Sequence, residues 1–252
     1  MKIKNLQEQD LSLFFHYAQL EKWDIEEIHI RTLLKTNPDD FFIFYENSKL
    51  LGFVVALRES EEFGFISSVL VLEEFRNLGY GKMIFSFALE HLEGCQIALD
   101  SLLTQESFYE QFGFESYFDV IHYKFITGNI TAKSHNYELI DFDKKLSLLG
   151  VSEYIRLLLS QHTLEYKAIK SHNTVSSYAF SFAYKDGYKI TIDADNINET
   201  STLFFALADK YDKGTNIYIQ VTKLSPLLEI LVQTLQMSKV SKMTRMYNKI
   251  LS

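Results

Sequence analysis

The residues Val69–Lys82, VLVLEEFRNLGYGK, decide how the first half of this chain is read. An apolar run closes on the charged pair Glu73 and Glu74. Arg76, Gly79 and Gly81 follow, and then Met83, Ile84, Phe87, Ala88 and Leu92 recur at helical spacing. A strand that runs through glycines into a helix is a physically sensible cradle for a diphosphate. Glycine lets the main chain approach a ligand and turns successive N–H groups toward one point. The helix adds its partly positive end, and Arg76 and Lys82 add full charges. An ordinary strand-to-helix connection has the same local pattern, so two glycines alone leave both readings open. Other glycine loops fail: a Walker A loop wants Gly at 76 and Ser or Thr at 83, where Arg76 and Met83 stand. The dinucleotide fingerprint wants a glycine where Ile84 stands.

Upstream, Met1 to Leu6 reads as a strand, and Asp10 can cap a helix with Leu11, Phe14, Phe15 and Ala18 on one face. A second helical stretch runs from Ile25 to Leu34. Pro38 precedes Phe41 to Tyr45, which a turn at Asn47 to Lys49 joins to Leu50 to Leu57 as a hairpin, and Phe63 to Leu72 is a third extended run. Downstream, Gly94 can stop the helix. Ile97 to Leu102 is the next strand, Ser107 to Phe112 a short helix, and Phe118 to Phe125 a strand.

The polar stretch Gly128 to Asn136 is the candidate domain junction. After it the order of elements begins again: a strand at Tyr137 to Phe142, a helix at Leu146 to Ser160, and a hairpin of Val175 to Tyr184 with Tyr188 to Ala194. A helix from Thr200 to Lys210, a strand at Ile217 to Val221, a helix from Pro226 to Leu235 and a strand at Met243 to Ile250 complete it. The reading is an α/β protein with mixed sheets, built as a degenerate repeat with domains at 1–128 and 135–252.

Composition narrows the function classes. A chain of 252 residues that is 47% hydrophobic and has only two prolines suits two packed domains rather than disorder. Its formal charge of -8 disfavours non-specific nucleic-acid binding and mildly favours a cationic acceptor such as an amine. Cys95 is the single cysteine, which excludes an intrachain disulfide and a thiolate metal cluster and fits a reducing compartment. The first ten residues lack an apolar signal core, and runs such as Ile155 to Leu159 are too short to span a bilayer. A cytoplasmic protein with no membrane partner is expected. His91, His122, His162 and His172 lack metal-ligand spacing, so no metal is expected.

The run Val69 to Leu72 with Arg76, Gly79 and Gly81 resembles the acetyl-CoA motif of the GNAT N-acetyltransferases, where Gln or Arg stands three residues before a Gly-x-Gly pair. Phe108, Tyr109, Gly113 and Phe114 match that family's second signature, Phe-Tyr-x-x-x-Gly-Phe, in the correct order. The resemblance covers roughly Met1 to Phe125. Trp23, Leu99, Asp100, Arg245, Met246 and Tyr247 further resemble a subgroup with an appended second GNAT-like domain. The resemblance therefore implies two GNAT-like domains in tandem, each a mixed, mostly antiparallel sheet flanked by helices.

It also implies roles. Backbone groups of Val69, Leu70 and Val71 would pair with the pantetheine arm and polarise the thioester carbonyl. Arg76, Asn77, Leu78, Gly79, Tyr80, Gly81 and Lys82 would hold the pyrophosphate. Tyr109 would protonate the departing thiolate, since a phenol with reference pKa about 10 keeps its proton at neutral pH; the alternative is a packing role. The family's base, a Glu on the fourth strand, corresponds to Phe65, which cannot accept a proton. That leaves Asp100, Glu106 or a water chain, with a structural role equally open to Asp100. Trp23, amid Glu21, Asp24, Glu26 and Glu27, is a candidate for the acceptor pocket, while the acids also suit a solvated helix face. In the second half, Asp193, Asp195, Asn196, Asn198 and Glu199 replace the Arg and glycines, which reads as a copy that does not bind pyrophosphate.

The expected activity is transfer of an acetyl group from acetyl-CoA, as cosubstrate, to an amine of a small molecule or peptide by direct attack. The alternatives are a non-catalytic acyl-CoA-binding or sensing module, and an interaction role for the second half. Oligomeric state stays open at this point.

Overall fold

Phe42, Phe44, Val54 and Ala56 pack into one apolar cluster while Phe41, Ile43, Phe53, Val55 and Leu57, their alternating neighbours, pack into another. Strands that read as continuous apolar runs are buried on both faces, so helices must cover both sides of this hairpin. The computed structural model describes residues 1–128, 137–141, 153–160, 164–171 and 174–248. It divides into two units, Met1–Tyr117 with the chain end from Thr244, and Phe118–Met243.

In the first unit the elements are β1 (Lys2–Asn5), α1 (Leu11–Leu20), α2 (Glu27–Thr36), β2 (Phe41–Glu46), β3 (Lys49–Arg58), β4 (Phe63–Val71), α3 (Tyr80–His91), β5 (Gln96–Ser101) and α4 (Glu106–Glu110). Strands β1 to β5 pair in sequence order, antiparallel except for the parallel pair β4 and β5. Residues Thr244–Tyr247 add an antiparallel neighbour on the other side of β5. One core lies against α1 and α2 through Leu11, Phe14, Ile30 and Leu34. The other lies against α3 through Ile84, Phe85 and Ala88. Asp10 does not cap α1 as its position suggests. Its carboxylate accepts from the Gln7 N–H at 2.9 Å and closes the preceding 3-10 turn.

The far end of α3 is fixed, because His91 Nε2 lies 2.7 Å from Asp40 Oδ1 while Asp40 Oδ2 accepts from the Arg58 N–H at 2.9 Å. Gly52 matters for the strand that α3 follows. A Cβ there would stand 2.1 Å from the Leu70 carbonyl oxygen, so β3 and β4 approach closely only because position 52 has no side chain. Gly52→Ala is expected to destabilise the protein by about 1–3 kcal/mol through overpacking. Urea unfolding monitored by circular dichroism checks it, and an unchanged midpoint would show that β4 yields freely.

The second unit is entered along β6 (Phe114–Ile126) and contains β7 (Leu139–Ile140), α5 (Glu153–Leu159), β8 (Glu165–Ser171), β9 (Thr174–Tyr184), β10 (Gly187–Asp193), α6 (Ile197–Ala208), β11 (Asn216–Thr222), α7 (Pro226–Thr234) and, up to Met243, the start of β12 (Ser238–Asn248). Its ladders run β7 to β8, β8 to β9, β9 to β10, β10 to β11 and β11 to β6, with only β10 and β11 parallel. The series β9, β10, α6, β11 thus repeats β3, β4, α3, β5. In each unit antiparallel ladders are mixed with one parallel pair, which agrees with the tandem reading.

The division differs from 1–128 and 135–252. Unit one gives up β6 beyond Tyr117 and gains the end of β12, because Thr244–Tyr247 pair with Ala98–Ser101. Residues 129–136, most of the expected junction, lie outside the described residues, as do 142–152 of the expected strand and helix. Strand β8 was not anticipated, although buried Tyr166 and Ala168 alternate with Glu165 and Lys167. Among the described residues, no helix is long and apolar enough to cross a membrane.

Candidate functional site

Strand β4 carries one residue more than β3 between the pairs Val55 with Ser67 and Phe53 with Leu70, and Ser68 takes a φ of 53° there. Such a bulge bends a strand out of its sheet. The parallel ladder to β5 accordingly covers only Phe63 with Gln96, Gly64 with Ile97 and Phe65 with Ala98. From Ile66 to Val71, among the described residues, the β4 edge that would continue this ladder has no strand neighbour. Val69, Leu70 and Val71 lie on that edge, where an extended ligand could take the place of a strand.

Beyond Val71 a 3-10 turn, Glu73–Phe75, leads to Arg76, then to Asn77 and Gly79 with φ of 60° and 89°. Gly79 is the N-cap of α3 and offers no side chain to its amides. The first bond into the helix is from the Met83 N–H to the Gly79 carbonyl at 3.3 Å, so the N–H groups of Gly79, Tyr80, Gly81 and Lys82 precede any helical acceptor. With the helix dipole behind them, these amides favour an anion. A Cβ at Gly81 would meet only Phe108 and Val71 at 3.9 Å, so internal packing does not require glycine there. Leu78 is 66% exposed. Tyr80 packs edge-on against Phe75, with centroids 5.8 Å apart.

The two cations differ. Lys82 is exposed. Arg76 is engaged: its Nε donates to the Val71 carbonyl at 3.0 Å and its Nη2 to Glu21, while its own N–H donates to Glu73 at 3.2 Å. The Arg76 amide therefore does not belong to the cradle, and its guanidinium reaches an anion only by leaving Glu21.

Tyr109 is held by α4 against Phe85 and Phe108, each with centroids 5.2 Å away, and its hydroxyl makes no hydrogen bond among the described residues. Burial raises its pKa above 10, which keeps the phenol protonated through neutral pH. Asp100 is otherwise committed. Arg245 grips it through Nε and Nη2, the latter at 3.0 Å, and lies 5.0 Å over the Phe65 ring. This bidentate contact favours the structural role that the sequence left open for Asp100. Glu106 is half-buried at the start of α4. Glu59, which sequence reasoning missed, has its carboxyl pKa raised by burial, an effect the Arg245 charge partly opposes, although the residue as a whole is exposed. Nothing in its sequence context marks that environment. Trp23 packs at the margin of the core shared by α1 and α2, its N–H donating to Ala18 at 2.9 Å.

The equivalent position in the second unit is chemically closed. Asn196 caps α6, its Oδ1 accepting from the N–H groups of Asn198 at 3.1 Å and Glu199 at 3.0 Å. The Asp195 N–H donates to Ser177 Oγ at 3.1 Å. Amides that Gly79 leaves open are thus consumed internally, beside the carboxylates of Asp193, Asp195 and Glu199. Among the described residues, no three His, Cys, Asp or Glu side chains gather as a metal site.

Residues 37–116, which include the α3 loop, Asp100 and Tyr109, match the description of the acetyltransferase (GNAT) domain. The chain is 23% identical over 219 residues to holothin acyltransferase of Pseudoalteromonas sp. (strain SANK 73390), covering 82% of this chain and 74% of that protein. A putative acetyltransferase from Pyrococcus horikoshii superposes with a TM-score of 0.75 at 14% identity, covering 99% of this chain and 89% of the other. A tandem GNAT protein from the clavulanic acid biosynthesis pathway superposes with a TM-score of 0.69 at 9% identity, covering 98% and 97%. At these identities the two structures speak to the fold.

Proposed function

We propose that this chain, whose residues 37–116 match the acetyltransferase (GNAT) domain and which is similar to an acyltransferase, moves an acetyl group from acetyl-CoA to an amine of a small molecule or peptide. The observation that supports the donor most directly is the uncapped start of α3. Gly79, Tyr80, Gly81 and Lys82 present amides with no helical acceptor, where the second unit spends the equivalent amides on Asn196. These amides and Lys82 would hold the diphosphate. Arg76 would join them on release from Glu21, and the open edge from Val69 to Val71 would pair with the amide-bearing arm. Bound acetyl-CoA would supply an activated thioester.

The remaining chemistry belongs to side chains of the first unit. Tyr109 holds its proton at neutral pH and would give it to the departing thiolate. Phe65 has no basic atom, and Asp100 is taken by Arg245. The acceptor amine would therefore attack in its neutral form and lose its proton to Glu106 or to solvent through a water chain. Trp23 would contribute an aromatic wall for the acceptor.

Calorimetric titration with acetyl-CoA tests the reading. One copy is expected to bind per chain. Arg76→Glu is expected to weaken binding at least about tenfold by replacing a charge-assisted contact with repulsion. Glu21→Gln, which releases Arg76 from a half-exposed pair, is expected to tighten it about two- to fivefold. No binding by the wild type, or no response to Arg76→Glu, would remove the donor.

A further inference from the structure

The connection from α1 to α2, residues 21–26, meets the donor loop in the ion pair of Glu21 with Arg76. In that pair Arg76 stands across the donor path at two points. Its Nη2 is spent on Glu21 rather than on a phosphate, and its Nε holds the Val71 carbonyl at 3.0 Å. The Leu70 carbonyl points at Gly52 and the Leu72 N–H donates to Leu51 at 3.0 Å, so both neighbours face β3 and Val71 faces the open edge. Arg76 therefore covers an acceptor atom that an extended ligand on this edge would use.

The pair is weakly held. Its side chains are 40% exposed for Arg76 and 30% for Glu21, and exposed pairs of this kind contribute little, whereas a diphosphate offers the same guanidinium charge-assisted, bidentate bonds. Glu21 is also the C-cap of α1, where the helix dipole disfavours a carboxylate. Once the guanidinium turns to phosphate, both the helix end and the new anion repel Glu21. What then holds this end of α1 is its main chain. The N–H of Glu21 donates to Tyr17 at 3.1 Å, that of Lys22 to Gln19 at 2.9 Å and that of Trp23 to Ala18 at 2.9 Å, with Lys22 at a φ of 56°.

We propose that the Glu21–Arg76 pair is a donor-released latch: in the free protein it keeps Arg76 across the donor path, and an arriving diphosphate takes the guanidinium and frees residues 21–23. The latch rests on the donor reading and extends it, because it couples the diphosphate site to the segment that carries Trp23. Its size is bounded. If removal of Glu21 tightens donor binding about two- to fivefold, the latch is closed in about 50–80% of free molecules, since apparent affinity falls with the competent fraction. By reciprocity the donor opens the latch to the same extent.

Amide hydrogen exchange and the emission of Trp23, the single tryptophan of the chain, are followed in the full-length protein with and without saturating CoA. Calorimetry measures CoA binding separately. In the wild type CoA is expected to quicken exchange at residues 21–23 about two- to fivefold and to shift the emission. Glu21→Gln is expected to show the quickened exchange and the shifted emission without CoA, and no further change with it. CoA that binds without altering residues 21–23 overturns the latch and leaves the donor reading intact. Wild-type exchange and emission in a folded, CoA-free Glu21→Gln variant also overturn it, because the pair then restrains nothing. Absence of CoA binding removes the donor reading, and release by the donor falls with it.

Discussion

Ending the chain after Met243 is expected to abolish acetyl-CoA binding, although every residue of the donor loop remains. Thr244–Tyr247 form the ladder along β5, and the Ile97 N–H donates to the Asn248 side chain at 2.7 Å. Met246, 0% exposed, fills the core beneath α3, and its removal forfeits about 1.5–3 kcal/mol of apolar burial. Asp100 would lose both contacts to Arg245, and the Phe65 ring the guanidinium that lies over it. Together with the lost ladder along β5, these losses take a large part of a total stability of about 5–15 kcal/mol, and the first unit is expected to melt. Thermal unfolding and an acetyl-CoA titration of the truncated chain measure it. Retention of a cooperative transition with wild-type affinity would mean that β5 tolerates a bare edge.

Tyr109→Phe is expected to lower kcat by about a hundredfold or more, within the range ascribed to a positioned general acid, with acetyl-CoA affinity unchanged within about twofold. The ring contacts to Phe85, Phe108 and Phe114 survive the substitution, so folding and donor binding should persist. The pH dependence has a definite sign. Burial raises the Tyr109 pKa above 10, so the acid form is complete below that value and is lost only as pH climbs past it. The wild-type rate is therefore expected to hold through the ordinary phenol range and to fall only above it, whereas Tyr109→Phe shows no such alkaline limb. Undiminished kcat in Tyr109→Phe would reduce this tyrosine to a packing residue.

What the sequence made legible is what is encoded locally. Gly79, Gly81 and the apolar repeat of α3 lie within one short run, so the cradle could be read from spacing. The repeat of strand, strand, helix and strand in the second half was equally visible, and so was the acidic replacement of its loop. Contacts between distant residues were not. Asp100 meets Arg245 across 145 positions, and Arg76 meets Glu21 across 55. Neither pairing leaves a mark in the neighbourhood of either residue, so Asp100 could be taken for a base and Arg76 for an unengaged cation. The splay of β4 from β5 depends on a bulge at Ser68, a residue type that rarely takes positive φ, and no composition signal announces it. The pairing of the last strand was hidden for a related reason: the end of β12 has a suitable strand pattern, but pattern does not name the strand it pairs with.

The origin of that last ladder strand bears on how the molecule is made. A ribosome that has finished β5 must still add all of β6 to β11 before Thr244–Tyr247 emerge. At about 5–20 residues per second this leaves one flank of the nascent first unit uncovered for roughly 7–30 s, long enough for intervening segments to fold ahead of it. Synthesis order and assembly order then differ, and the N-terminal half, translated first, matures last.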